Sequence, residues 1–239
     1  MSTHGPRSDR SAARSLLARA ALPRGMPGKE HIAIIGRGNV GSALKSGLER
    51  IGHKVDAVGN EGEKVRKVTK DAEIVFLAVP FGARRNALEG AGMDAMKGKI
   101  LVDVTNPLAE DGQYALDPRN DSSAEQVQGW ADEVRVVKAF NTIFAQQMTN
   151  GQVDSEPLSV FVAGDDTEAR ERVMVLARDM GYDPVDSGTL ENARWLESLG
   201  MLNITLGYGV KHGTDIGFRL VRQGAAQGSR PREPVAKRS

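Results

Sequence analysis

Short apolar runs alternate with stretches of helical spacing along the middle of the chain. The runs are rich in Val, Ile and Leu and predict β-strands, and the run at 74–79 is typical of a strand buried on both faces. The predicted strands span residues 31–35, 54–58, 74–79, 100–104, 134–139 and 158–162. Helices are predicted at 40–50, 63–69, 122–130 and 167–180. This alternation indicates βαβ units, so we expect an α/β fold with a doubly wound, mostly parallel sheet.

The pattern changes near the C-terminus. Residues 190–206 contain no proline and predict one longer helix, with a buried stripe formed by Leu190, Ala193, Leu196, Met201 and Ile204. Such a stripe can cover the sheet or meet its twin in a second subunit. We therefore divide the chain into a disordered basic extension (1–30), an α/β domain (31–188), a small helical part (189–220) and a disordered basic tail (221–239).

A glycine-rich turn follows the first predicted strand and opens the first predicted helix. Its sequence is Gly36-Arg37-Gly38-Asn39-Val40-Gly41. In G-x-G-x-x-G the first glycine allows the tight turn, the second lets a pyrophosphate approach the backbone, and the third lets helix and strand pack closely. Because strand and helix flank it on the expected sides, the motif predicts a dinucleotide site rather than a structural turn.

The choice between NAD and NADP is expected to depend on residues after the second strand, where an acid favours the ribose hydroxyls of NAD and an arginine favours a 2′-phosphate. This chain has Asn60 and Glu61 there, while Arg37 in the glycine loop could reach a 2′-phosphate. The two signals conflict, so these residues leave the cofactor open.

Three more segments end predicted parallel strands, at the edge where doubly wound sheets bind their ligands. They contain Val79-Pro80, Asn106-Pro107 and Asn141-Thr142-Ile143. We add them to Gly36–Gly41 and Asn60 as candidate cofactor-binding or cleft-lining residues. Lys138, just before the last segment, could be a catalytic lysine or the cation of a structural salt bridge.

Composition narrows the class of protein further. The 239 residues include no cysteine, which removes disulfides, thiolate catalysis and cysteine metal sites, and we expect no metal site. Both ends are basic and the middle is acidic, which argues against a nucleic-acid binder. The longest strictly apolar stretch, 74–79, is far shorter than the roughly 20 residues that span a bilayer. We expect a soluble, cytoplasmic protein, and we read the N-terminal extension as an over-long start before Met26 in preference to a transit peptide.

Taken together, these segments resemble the NADPH-dependent coenzyme F420 reductases, also called 8-hydroxy-5-deazaflavin:NADP oxidoreductases. The matching segments are GRGNVGSAL (36–44), FLAVP (76–80), DVTNPL (103–108), VVKAFNT (136–142), VAGDD (162–166), PVDSGTLENARWLESL (184–199) and GTDIGFRL (213–220). The resemblance implies a Rossmann-type NADP domain with a small C-terminal part, paired in a homodimer. It also implies that Asn141, Thr142 and Ile143 line the cleft where nicotinamide and deazaflavin stack.

The activity implied is hydride transfer between NADP(H) and coenzyme F420, a small-molecule substrate, with NAD(H) as the alternative dinucleotide. Such a reaction needs orientation and water exclusion rather than a catalytic acid or base. The alternatives are an NAD(P)H-dependent reductase of another acceptor (a flavin, a ferric chelate, a small carbonyl or an imine) and a non-catalytic NAD(P)-sensing module. Two departures bear on the choice: Asn60 and Glu61 stand where many members have arginine, and Phe144 replaces a small residue or proline.

Overall fold

A computed structural model describes residues 29–109 and 111–222 of the protein. Its strands are β1 (His31–Ile35), β2 (Lys54–Val58), β3 (Ile74–Leu77), β4 (Ile100–Asp103), β5 (Arg135–Lys138), β6 (Gln152–Val153), β7 (Glu156–Pro157), β8 (Ser159–Gly164) and β9 (Asp183–Asp186). Its α-helices are α1 (Asn39–Arg50), α2 (Glu63–Asp71), α3 (Arg84–Ala91), α4 (Ser123–Trp130), α5 (Thr167–Met180) and α6 (Ala193–Ile204). The predicted terminal extension and tail lie almost entirely outside the described residues.

The main sheet has seven strands in the order β2-β1-β3-β4-β5-β8-β9. Neighbouring strands from β2 to β5 are parallel, β8 runs antiparallel to β5, and β9 is parallel to β8. The predicted α/β, mostly parallel sheet is confirmed, and all six predicted strands are present within two residues of their predicted ends. β9 and the small β6–β7 hairpin were not predicted.

Helices cover both faces of the sheet, as expected for a doubly wound fold. Alternate residues of β1 separate the two sides: Ile32 and Ile34 belong to one apolar cluster, with residues of α1 and α5, while Ala33 and Ile35 belong to the other. The second cluster includes residues of α2, α3 and α4 and the first residue of α6. Both faces are thus buried, which explains the continuous apolar run of β3.

The predicted helices are found, and local chemistry sets their ends. Asp166 caps α5, because its carboxylate accepts from the backbone N–H of Ala169 at 2.7 Å. Gly181 follows α5 with a φ of 106°, the left-handed conformation that glycine adopts easily. α3 was not predicted; its apolar residues are too few to show a helical period.

The predicted apolar stripe at 190–206 is wrong in its second half. The segment consists of a 3₁₀ turn (Leu190–Asn192), α6 and a π-helical turn (Thr205–Gly209). Leu190, Ala193 and Leu196 are buried, but the buried face continues through polar Glu197 and Asn203, while Met201 and Ile204 are half-buried. The polar residues are tolerated there because each has a buried partner on another element.

α4 is fixed to its neighbours by a buried arginine. The guanidinium of Arg84 donates to the carbonyl and the hydroxyl of Ser123 and to the side chain of Gln126. It also lies 3.7 Å from the centre of the Phe81 ring and 5.3 Å from the ring of Trp130, at the end of α4.

None of the described helices is long and apolar enough to cross a membrane.

Candidate active site

The candidate residues gather at the carboxyl edge of the sheet. β1 lies between β2 and β3, so the chain leaves β1 in one direction for β2 and later returns to the other side for β3. Doubly wound sheets bind ligands in the crevice formed at such a switch point. The glycine loop begins there, beside the segments that follow β3, β4 and β5.

Two glycines of the loop are required by contacts within the protein. A side chain at Gly36 would place its Cβ 2.1 Å from the carbonyl oxygen of Ala78, and the φ of Gly36 is 124°. At Gly41 a Cβ would lie 2.1 Å from the carbonyl oxygen of Gly36. Both distances are well inside van der Waals contact, so the loop can turn and α1 can pack on β1 only with glycine at these positions.

Gly38 differs from these two because it faces open space. A Cβ built there meets no protein atom within 4 Å. Gly38 also precedes α1, whose first turn has neither an acidic residue nor a side-chain cap. The first N–H groups of α1 are therefore available to an anion, and the helix dipole favours negative charge there. These features fit a dinucleotide pyrophosphate.

An ion pair lies beside the loop at the end of β2. Arg37 Nη1 is 2.7 Å from Glu61 Oε1, and Glu61 Oε2 accepts from the backbone N–H of Gly59 at 2.5 Å. Asn60 is exposed. The carboxylate of Glu61, rather than Asn60, is thus held at the position where a dinucleotide fold recognises the adenosine ribose.

A cleft of about 940 Å³ runs along this edge from the glycine loop. Gly38, Asn39, Val40, Val79, Pro80 and Asn106 line it. Pro107 is buried instead, and its carbonyl accepts from the backbone N–H of Ala115 at 2.8 Å. Pro107 therefore lies beside Asn106 but does not line the cleft.

A second, smaller cleft of about 240 Å³ adjoins the first. Asn141, Thr142, Ile143 and Phe144 form one wall, and α6 with Tyr208 forms the other. Four residues line both clefts: Asn39, Val40, Asn106 and Ile204. The two spaces meet at these residues, so a molecule in one lies against a molecule in the other.

An unusual backbone conformation directs the wall into this cleft. Phe140, immediately after β5, has a φ of 62°, which is uncommon for a residue other than glycine. Its ring is buried against Phe76 and Tyr182, at centre-to-centre distances of 6.0 and 5.7 Å. This packing holds the turn that sends residues 141–144 across the end of the sheet.

Two asparagine amides join the strand ends beneath α6. Asn106 Nδ2 donates to the carbonyl of Asn141 at 2.8 Å, and Asn141 Nδ2 donates to Asn106 Oδ1 at 3.0 Å and to the carbonyl of Leu196 at 2.8 Å. Gly200 lies above this pair; a Cβ there would be 2.5 Å from Asn106 Oδ1. Glycine at this position lets α6 approach the cleft.

Lys138 lies below the cleft and is fully buried, and it is not among the cleft-lining residues. Its Nζ lies 2.9 Å from Asp103 Oδ2 and 2.8 Å from Glu197 Oε1, and donates to the carbonyl of Thr105 at 2.6 Å. Burial opposes its charge, but the two carboxylates outweigh burial and keep the pKa of Lys138 above its ordinary value. Of the two readings of this lysine, the geometry matches the structural salt bridge.

Glu197 was missed by the sequence reasoning because it stands within a predicted apolar stripe. Its carboxylate also accepts from the backbone N–H groups of Ser123 and Ala124, at 2.8 and 3.3 Å, at the start of α4. Burial raises the pKa of Glu197, against the opposing effect of Lys138. Glu197, Gly200 and Asn203 thus connect α6 to the site, and local sequence carries no signal of these distant partners.

The fold and the site define an NAD(P)-dependent oxidoreductase of the Rossmann type. Residues 31–107 match the family model described as NADP oxidoreductase, coenzyme F420-dependent. The chain is 32% identical over 155 residues to the F420-dependent NADP reductase of Methanothermobacter marburgensis, covering 61% of this chain and 67% of that protein. The chain belongs to this family of F420-dependent NADP oxidoreductases.

Two further comparisons place the chain among its relatives. The crystal structure of a candidate F420-dependent NADP reductase from Arthrobacter sp. FB24 superposes with a TM-score of 0.74 at 30% identity, over 81% of this chain and all of that one. Metalloreductase STEAP3 of Rattus norvegicus is 32% identical over 194 residues, or 75% of this chain. The chain spans only about two fifths of the length of the STEAP metalloreductases that it matches.

Proposed function

We propose that the protein transfers a hydride between NADP(H) and coenzyme F420. The observation that carries this proposal is the meeting of two clefts at Asn39, Val40, Asn106 and Ile204. The larger cleft starts at the glycine loop and suits a dinucleotide, and the smaller suits the ring that exchanges the hydride with it. Membership of the family supports the same pair of substrates.

Each part of the site has a role in this proposal. The backbone at Gly38 and the start of α1 bind the phosphates, while Val40, Ile143 and Ile204 supply apolar surfaces that exclude water from the reacting rings. The hydride leaves nicotinamide C4 for deazaflavin C5, and a solvent proton completes the reduced deazaflavin as NADP⁺ forms. The protein therefore acts by holding two rings in contact, which requires no acid or base among its side chains.

A second candidate function is the reduction of a flavin or a metal chelate by NADPH. It is favoured by the similarity to the STEAP metalloreductases, which extends over three quarters of this chain. Those proteins are much longer than this chain, so their names do not establish its acceptor. The acceptor has to be determined by assay.

The acceptor can be tested directly. Purified protein and NADPH are mixed with one acceptor at a time: oxidised coenzyme F420, a free flavin or a ferric chelate. NADPH oxidation is followed in each assay. We expect rapid loss of the deazaflavin absorbance with F420. Reduction of the flavin or the chelate, with F420 unreduced, would contradict the proposal and favour the second candidate.

Filling the smaller cleft gives the matching variant test. Ala145 lines this cleft from a 3₁₀ turn and is half-buried, so Ala145→Trp should block F420 reduction while NADPH binding changes less than a few-fold. Ala95 is a matched control: it is also half-buried and in a 3₁₀ turn, but lines a groove at the opposite edge of the sheet. Normal turnover by Ala145→Trp would show that the acceptor binds elsewhere.

We also propose that the functional unit is a homodimer formed through the exposed face of α6. Trp195 and Leu202 are 60% and 48% exposed and lie two helical turns apart on that face. Large apolar side chains exposed along one helix face favour a protein–protein contact. A second copy suits it because the same patch then faces itself about a two-fold axis.

A further inference from the structure

The side chain of Asn203, in the wall of the smaller cleft, has one buried polar atom without a hydrogen-bond partner. It belongs to α6, lines the cleft and is only 3% exposed. Its Nδ2 donates to the carbonyl of Thr142 at 3.1 Å. Its Oδ1 is buried and has no hydrogen-bond partner among the described residues. Buried polar atoms are nearly always paired, so an orphaned oxygen beside a cleft requires an explanation.

The chemistry of the amide identifies the oxygen as the free atom. A carbonyl such as that of Thr142 can only accept, so the asparagine group that faces it must be the NH₂. Of the other amides of the cleft, those of Asn106 and Asn141 bond to each other, while those of Asn39 and Gln146 are exposed, so Asn203 Oδ1 is the buried amide oxygen without a partner. The terminal torsion of an asparagine is broad, so a small rotation of the amide can bring Oδ1 toward an incoming donor with Nδ2 still within reach of its partner.

The cleft around Asn203 is electrically neutral. None of the residues that line it, all within the described ranges, is an Asp, Glu, Lys, Arg or His. Val40, Ile143, Phe144 and Ile204 give it apolar surfaces. Such a lining suits the flat faces of a heterocycle and supplies no charged side chain to a metal chelate.

We propose that Asn203 Oδ1 accepts a hydrogen bond from an amide or imide N–H of the bound ring and so selects the substrate. This inference rests on the proposed function only in assuming that the smaller cleft receives a reacting ring. Two substrates carry this chemistry: the imide N3–H of a deazaflavin or flavin, and the carboxamide of nicotinamide. Asn203 is thus a specificity-determining residue, and a ring without such an N–H loses the contact.

The test compares ligands that differ only in this donor. Dissociation constants are measured without turnover, by fluorescence, for 8-hydroxy-5-deazariboflavin and its N3-methyl derivative, and for lumiflavin and N3-methyllumiflavin. A second arm compares NADP⁺ with 3-acetylpyridine adenine dinucleotide phosphate, whose ketone replaces the carboxamide. Each pair is measured with wild-type protein, Asn203→Leu and Asn192→Leu. The last is a matched control, since Asn192 Nδ2 also donates to a backbone carbonyl, that of Ser187, but lies outside the cleft.

We expect loss of the donor to weaken binding about 10-fold in the wild type and in Asn192→Leu, and less than 2-fold in Asn203→Leu. The arm in which this occurs identifies the source of the N–H. If neither arm discriminates in the wild type, if no ring binds, or if Asn203→Leu discriminates equally, the proposal is overturned. Asn203→Ala replaces the leucine variant if that variant does not fold. The F420 reduction assay is separate: a deazaflavin that binds through its N–H but is not reduced contradicts only the proposed function.

Discussion

Glycine serves two different purposes within one six-residue loop. At Gly36 and Gly41 the protein itself occupies the space that a side chain would need, so glycine there is a condition of folding. At Gly38 the space is open, so no contact within the described chain demands glycine. The sequence motif does not distinguish the three positions. The structure shows that packing requires glycine at two of them and that the third leaves room for a ligand.

This separation gives a prediction for Gly38→Val. A branched side chain should occupy the phosphate position and weaken NADP(H) binding about 10- to 100-fold, through the loss of charge-assisted hydrogen bonds worth ~1.5–3 kcal/mol. Stability should fall by less than about 1 kcal/mol, the cost of a poorer helix N-cap. Gly41→Ala should instead lower the free energy of unfolding strongly in urea denaturation, because its Cβ would clash with the carbonyl oxygen of Gly36. Unchanged NADP(H) affinity of Gly38→Val in calorimetry would argue against a dinucleotide at this loop.

We expect cofactor choice to depend on single residues as well. The Arg37–Glu61 pair places a carboxylate and a guanidinium together where the adenosine ribose is expected. Glu61→Gln should raise NADP affinity about 10-fold relative to NAD, since it removes a repelling charge and releases Arg37. Arg37→Ala should lower NADP affinity more than NAD affinity. Arg85, in an exposed ion pair with Glu89, is the control. Equal effects of Arg37→Ala on both cofactors would indicate an NAD-dependent enzyme.

At the scale of elements, α6 organises the site through polar contacts on its buried face. Glu197 meets Lys138 and the start of α4, Gly200 rests on the asparagine pair, and Asn203 holds the carbonyl of Thr142. These contacts are spaced three residues apart, so one helix face reaches the ends of β4 and β5 together. A shift of α6 would therefore disturb both clefts at once.

The buried ion cluster predicts a large stability effect. Lys138→Met leaves Asp103 and Glu197 without their cation in a buried place and should reduce the free energy of unfolding by about 3–5 kcal/mol. Lys45→Met, which removes an exposed pair with Glu49, should cost no more than ~1 kcal/mol. Folding raises the pKa of Lys138, so its stabilisation holds below the ordinary lysine pKa and is lost as pH rises through the raised value. A near-neutral Lys138→Met in urea denaturation would contradict the paired arrangement.

Local patterns predicted the elements well and their long-range relations poorly. The strands and the cap and end of α5 follow from apolar runs and from Asp166 and Gly181, which act within a few residues. The antiparallel direction of β8 depends on its pairing with β5, which no local period reports. Glu197 and Asn203 looked unsuited to a buried stripe because their partners lie far away in the sequence. The candidate site was predicted as a set of strand ends, but the polar residues by which α6 reaches it were not.

On the scale of the whole molecule, exposed apolar side chains are concentrated in one region. Six of the seven large hydrophobic residues that are exposed in the described chain lie between positions 195 and 221, and Leu108 is the other. The two cores, by contrast, are closed by helices on both faces of the sheet. α6 thus has an inner face that completes the clefts and an outer face on which Trp195 and Leu202 are exposed.

The homodimer is tested by charging that outer face. Trp195→Glu combined with Leu202→Glu should convert a dimer to a monomer in sedimentation analysis, because two charges would be buried at a self-facing patch. Leu108→Glu, an exposed apolar residue outside the patch, should leave the dimer intact. A wild-type protein that sediments as a monomer at micromolar concentration would exclude this contact.

The placement of the two tryptophans gives the protein two separate optical reporters. Trp195 is open to solvent on α6, so its emission should be red-shifted and quenched by iodide until a second copy covers it. Trp130 lies beneath the guanidinium groups of Arg84 and Arg85, at 5.3 and 5.7 Å, and is half-buried. Acrylamide, a neutral quencher that the guanidinium groups do not attract, should therefore reach it less readily than it reaches Trp195. Replacing either one with phenylalanine isolates the other, so assembly and the packing of α4 can be followed separately in unlabelled protein.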